Sequence, residues 1–99
     1  MIARHWRGVA RAECVREYEA HLLTETFPAL TDIAGFVDAS IHTRRVAEGV
    51  EFLVITRWQS LDAIRGFAGD DVEAAVVPAV VQAMMIGYDR RATHYDVAR

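Results

Sequence analysis

EFLVITRWQSLDAIRGFAGDD, residues Glu51 to Asp71, is the stretch whose reading decides the fold. Its first part, up to Trp58, is rich in β-branched and aromatic residues and reads as a strand. Ser60 follows as an N-cap, its hydroxyl placed to accept from the first free amides of a helix carrying Leu61, Ile64 and Phe67. AGDD then breaks that helix. Phe52, Val54, Thr56 and Trp58 point one way from the strand, and Leu53 and Ile55 the other. A sheet with one solvated face should alternate cleanly between apolar and polar, and this strand is apolar on both sides. Helices on one face and a second copy of the chain on the other would bury both, so a homodimer is expected.

The same logic extends outward. Ile2 to Val9 reads as a strand in which arginines separate β-branched and aromatic residues. A helix follows, with Val15, Tyr18, Leu22 and Thr26 on one face and Leu23 and Phe27 beside them. Pro28 should end it, because proline disfavours the helical conformation in the residue before it. Gly35 opens a second extended run, and Ala47 to Gly49 supply a turn before the Glu51 strand, predicting an antiparallel hairpin. A last helix is expected around AAVVPAVVQAMMIG, with Pro78 in its first turn and Gly87 at its end. RRATHYDV then alternates, with Thr93, Tyr95 and Val97 on one face and Ala92, His94 and Asp96 on the other. Strand, helix, strand, strand, interrupted helix, strand is the α+β, ferredoxin-like βαββαβ order, with an antiparallel sheet.

At 99 residues, with no linker or repeat, a single domain over 1–99 is expected. A formal charge of −3 without a basic block argues against a nucleic-acid partner. No apolar run reaches the length of a membrane span, and the charged MIARHWRGVA is no secretory leader, so no membrane partner and a cytoplasmic location are expected. The lone Cys14 makes no internal disulfide and no cysteine pair is present for zinc. Lysine is absent, which excludes Schiff-base chemistry on a lysine.

In this order, RHWRG (Arg4 to Gly8), PALTDIAGF (Pro28 to Phe36), the Glu51–Asp71 stretch and HYDV (His94 to Val97) resemble the antibiotic biosynthesis monooxygenase-like domains of the dimeric α/β-barrel superfamily. The resemblance covers essentially the whole chain. It implies a dimeric α/β barrel of two face-to-face sheets, with a pocket in each subunit between sheet and helices. Some such domains oxidise aromatic polyketide phenols to quinones with molecular oxygen and neither metal nor flavin, and others degrade haem. The haem degraders carry an asparagine in the first strand, a tryptophan on the central helix and a histidine ten residues beyond it. This chain has no asparagine, and Phe67 and Val77 stand at the other two positions. The quinone-forming branch uses a tryptophan, a tyrosine, an asparagine and an arginine; Trp58 matches the first of these.

The resemblance therefore implies a cofactor-independent monooxygenase acting on an aromatic or polyketide-type small molecule, with oxygen as co-substrate. The alternative is a homodimer that binds a small aromatic or apolar ligand without this chemistry; haem binding ranks third. Neither a cofactor nor a metal is expected, since His5, His21, His42 and His94 form no metal-ligand spacing. Histidine is the natural base for a phenol proton. His5 and His94, in the first and last strands, are the catalytic candidates, while His21 among Glu19 and Glu25 reads as exposed. Arg57 is the third catalytic candidate and Arg4 a pocket candidate, because a guanidinium favours a bound phenolate over the neutral phenol and both have apolar neighbours. Most strand arginines read as surface residues or as cross-strand partners for Asp38, Glu51, Asp89 and Asp96. Trp6, Trp58, Phe67, Met84 and Tyr88 complete the expected pocket, although each, Trp58 above all, serves equally well as ordinary core packing.

Overall fold

The computed structural model describes residues 1–99. Five strands, β1 (Ile2–Arg11), β2 (Phe36–Arg45), β3 (Gly49–Trp58), β4 (Met85–Tyr88) and β5 (Thr93–Asp96), form one antiparallel sheet. The order is β2-β3-β1-β4, with β5 also paired to β1. Helices α1 (Val15–His21), α2 (Phe27–Thr31), α3 (Leu61–Ala68) and α4 (Ala79–Met84) are short. This is the expected ferredoxin-like α+β arrangement, with its last strand in two pieces.

Cross-strand register fixes what each face carries. Phe52, Val54, Thr56 and Trp58 stand opposite Gly8, Trp6, Arg4 and Ile2. These residues meet the helices. Phe52 and Trp58 are fully buried, as are Leu30 of α2 and Ile64 of α3. Two apolar clusters result, one around Tyr18, Phe52 and Met84 and one around Leu30, Trp58 and Ile64. The opposite face shows His5, Leu53, Ile55, Arg57 and Tyr95, and no element of the chain covers it.

Three boundaries differ from the sequence expectation, each for a physical reason. Pro28 does not end the first helical run, which continues to Thr31. Between α1 and α2 the backbone widens into a π-helical turn, Leu22–Thr26, where the Phe27 amide donates to the Leu22 carbonyl. Pro28 then occupies the first turn of a new segment, where its missing N–H costs nothing.

The last helix begins after Pro78 and ends at Met84, five residues later and three residues earlier than the AAVVPAVVQAMMIG window. Upstream, Ala74 bridges to Arg91 and the Ala75 amide donates to the Arg90 carbonyl, which holds that segment extended. Downstream, Met85 pairs with Ala10 and Gly87 with Val9, so Gly87 lies within a strand and does not cap a helix. The closing strand breaks at residues 89–92 and resumes at Thr93 opposite His5. Its faces are nevertheless as alternation predicts, with His94 on the helix side opposite Arg4.

Candidate active site

Between the two apolar clusters lies a cavity of about 60 Å³. Its floor is the sheet: Arg4 and Trp6 from β1, Val54 and Thr56 from β3. Tyr18 and His21 of α1, Leu22 and Thr26 of the π turn, and Phe27 and Leu30 of α2 form one wall. Phe67 of α3, Val76 and Pro78 of the segment before α4, and Val81 form the other. Past His21, Thr26, Phe67, Val76 and Pro78 it joins a groove of about 230 Å³ that also meets Glu25 and Ala29. The π turn shapes this wall directly, a common use of π-bulges.

Arg4 dominates the floor. It is 4% exposed, yet no carboxylate pairs with it. Its Nη1 donates to the Val72 carbonyl and, at 2.9 Å, to His94 Nε2; its Nη2 donates to the Ala74 carbonyl at 2.8 Å. Its carbon centre lies 5.6 Å over the Phe67 ring, a cation–π contact. Burial pushes its pKa down to about 10, so it remains charged at neutral pH.

A guanidinium has five N–H donors and no acceptor. Nη1 uses both of its hydrogens and Nη2 one, leaving Nε–H and one Nη2–H without a protein partner. No buried side-chain nitrogen or oxygen is sealed in without a partner, so Nε keeps some accessible surface, and Arg4 is one of the residues lining the cavity. An unpaired buried ion costs several kcal/mol in desolvation. Three strand arginines and one loop arginine differ: Arg57 pairs with Asp38, Arg7 and Arg44 share Glu51, and Arg91 holds Asp71 and Glu73, while Arg11 and Arg45, at strand ends, are exposed to solvent.

Because Arg4 can only donate, His94 Nε2 must accept, which places the His94 proton on Nδ1 and keeps the ring neutral. Burial, then the Arg4 charge, lowers the His94 pKa, and Glu73 opposes them. The Nε2 lone pair is thus committed to Arg4. Two hydroxyls complete the polar set. Thr56 Oγ1 accepts from Trp58 Nε1 at 2.9 Å, which leaves its own proton to donate elsewhere. Tyr18 is 3% exposed, makes no side-chain hydrogen bond within the chain and lines the cavity, and its hydroxyl is not sealed away from accessible space. Burial raises the Tyr18 pKa and keeps the phenol a neutral donor.

Of the residues singled out from sequence, Arg4, Trp6 and Phe67 line the cavity. His94 reaches it only through Arg4. Trp58 lies behind the wall: fully buried, it stacks on Phe67 with ring centroids 6.3 Å apart and holds Thr56, so it positions two lining residues and touches no ligand space. Met84 is core, and Tyr88 packs beside Trp6 at 6.3 Å without lining the cavity. His5 and Arg57 lie on the opposite sheet face, His5 against the Tyr95 ring at 4.8 Å and Arg57 on Asp38 at 2.7 Å, so neither meets the cavity. Sequence reasoning missed Tyr18 as a donor, Thr56 and His21. His21 was readable from spacing, since it follows the buried Tyr18 by three residues and so borders the apolar stripe.

No cluster of three or more His, Cys, Asp or Glu side chains is arranged to hold a metal ion. No helix is long and apolar enough to cross a membrane.

The five-stranded sheet with its helices, and the cavity between them, form a ferredoxin-like α+β fold. No protein-family model and no curated protein matches the chain. Solved structures do match. The monooxygenase ActVA-Orf6 of Streptomyces coelicolor, in complex with nanaomycin D, aligns with a TM-score of 0.73 at 14% identity, over 99% of this chain and 88% of that one. A candidate antibiotic biosynthesis monooxygenase from Bacillus cereus aligns at 0.69 with 18% identity, over 100% and 93%. The haem degrader MhuD of Mycobacterium tuberculosis, with two haems in its active site, aligns at 0.69 with 15% identity, over 100% and 97%. At these identities the likeness is one of fold, and the chain has the fold of antibiotic biosynthesis monooxygenase domains.

Proposed function

We propose that this chain is a small monooxygenase that acts, without metal or flavin, on an aromatic, polyketide-type molecule, and that it works in the cytoplasm as a homodimer. The observation that carries the reading is the buried, carboxylate-free guanidinium of Arg4 on the floor of a mainly apolar cavity. Such a charge favours the ionised form of a bound phenol or enol. The neighbouring fold of a nanaomycin-bound monooxygenase supports the substrate class.

In this reading an electron-rich ring loses a proton, and its anion is held by Arg4. His21, at the mouth, is the side chain in reach to take that proton. The anion reduces oxygen: one oxygen atom becomes a carbonyl on the ring carbon, and the other leaves as water with the two hydrogens displaced. The surrounding Trp6, Leu22, Val54 and Phe67 exclude water from the intermediate.

The test is an aerobic assay with hydroquinones and anthrone-type phenols, following oxygen uptake and quinone absorbance with no added metal or flavin. Turnover above the spontaneous rate is expected, reduced by roughly 100-fold or more in Arg4→Gln, the scale for losing a transition-state charge partner. Absence of turnover across the panel would reject the enzyme. The second reading, a binding protein without chemistry, is favoured by the commitment of His94 Nε2 to Arg4, which leaves no free base at the floor. Saturable quenching of tryptophan fluorescence without oxygen uptake would select it.

A further inference from the structure

We infer that the ligand of this cavity is an aromatic monoanion bearing a carboxylate, which docks on the free edge of Arg4 and is kept there because His94, a neutral acceptor, holds Arg4 where an acid holds the strand arginines Arg7, Arg44 and Arg57. The inference rests on the reading of the cavity as the substrate site and narrows the substrate class.

The argument begins with the pairing pattern. Arg7, Arg44, Arg57 and Arg91 each have a carboxylate within ion-pair distance, and each is partly exposed. Arg4 is the buried one, and its three acceptors are two backbone carbonyls and an imidazole. They fix the plane of the guanidinium and leave its full charge uncancelled. The two donors that remain, Nε–H and one Nη2–H, suit the two oxygens of a carboxylate. Tyr18 and Thr56 hydroxyls are the further donors on the same cavity. The enclosed space of about 60 Å³ is below the roughly 150 Å³ that takes up benzene. The acid therefore enters the floor, and the ring body lies toward the mouth, between Phe67, Val76 and Pro78. Glu25 meets the outer groove, on the solvent side of the ring, and disfavours a second carboxylate at that end.

His94 is a positioning residue here. A glutamine in its place keeps a neutral acceptor for Arg4; an aspartate supplies the missing counter-ion. That difference separates a role in charge from one in packing.

The experiment is equilibrium quenching of tryptophan fluorescence at pH 7.5, with Trp6 on the cavity wall as reporter, using 2-naphthoate and its neutral counterpart 2-naphthamide. The intact chain is expected to bind naphthoate at least 10-fold more tightly than naphthamide. His94→Gln should keep that ratio, and His94→Asp should bring it close to one. Arg4→Gln should remove it as well, provided far-ultraviolet circular dichroism shows that variant folded. Equal affinity of the two probes for the intact chain overturns the inference with no variant needed, and so does a ratio that survives His94→Asp. A preference for naphthoate with no oxygen uptake from any phenol would sink the monooxygenase and leave the anion site standing. Turnover of neutral anthrones without naphthoate preference would do the reverse.

Discussion

At the residue scale, the pair formed by Arg4 and His94 ties the site to the stability of the fold. His94 has a folded-state pKa below its ordinary value of 6.5, because burial and then the Arg4 charge disfavour the imidazolium, with Glu73 pulling the other way. His5, on the other face, is lowered for a related reason, burial followed by the charge of His42. In the window between the ordinary and the folded pKa the unfolded chain binds more protons, so stability rises with pH there. It is complete above about pH 6.5 and is lost as pH falls through the folded values. Asp38, Glu51 and Asp71 are lowered by arginine hydrogen bonds, and their contribution is lost only at lower pH, below their ordinary carboxylate range. Urea unfolding at pH 7.5, 6.0 and 5.0 should therefore show a midpoint that drops across this window. His94→Gln should flatten part of the drop and leave the part due to His5. An unchanged slope in that variant would mean that His94 is not held neutral by Arg4.

At the scale of elements, α3 is set against the sheet by two small devices. Ser60 Oγ accepts from the Ala63 amide at 3.2 Å, capping the helix. Gly35, with φ of 93°, receives the helix so closely that a Cβ there would lie 2.5 Å from the Ala63 Cβ. Ser60→Ala should cost about 1 kcal/mol and leave the position of α3 unchanged. Gly35→Ala should cost more, about 1–2 kcal/mol from the left-handed backbone alone, and should also push α3 and Phe67 off the cavity. Thermal unfolding gives the order of the two, and naphthoate affinity should fall in the second variant while holding in the first. Ser60 and the Trp58-to-Leu61 junction were legible because capping and alternation are local rules. The π turn was not, since no local residue signal marks a widened ladder at Leu22–Thr26, and Pro28 read as a stop when only the turn before it had changed. The short α4 was also hidden, because it depends on Ala74 meeting Arg91 far along the chain. Arg4 and Arg57 were indistinguishable in sequence: each lies in a strand between apolar neighbours, and only register shows that Asp38 faces one and His94 the other.

At the scale of the whole molecule, one sheet face remains to be accounted for. Its centre is apolar, with Leu53, Ile55 and Tyr95, the last 54% exposed. Around this centre the charges are already paired within the chain, Arg7 and Arg44 on Glu51 and Arg57 on Asp38. A face with an apolar middle and charges mostly paired within the chain, one positive charge in excess, can close on its own copy with few unpaired ions to desolvate, as the proposed homodimer requires. The cavity lies on the other side of the sheet, between it and the helices of the same chain. Association and ligand binding should therefore separate. Sedimentation equilibrium of the intact chain at micromolar concentration should give twice the chain mass of 11.1 kDa. Ile55→Arg places a charge in the middle of the face, where a second copy would have to desolvate it, and should yield a monomer. That monomer should retain the preference for naphthoate over naphthamide, with its affinity changed by less than about threefold, the effect expected of a site that the partner supports and does not complete. A monomeric mass for the intact chain would reject the dimer. A monomeric Ile55→Arg that is folded but no longer binds would show that the second copy contributes to the cavity through the sheet.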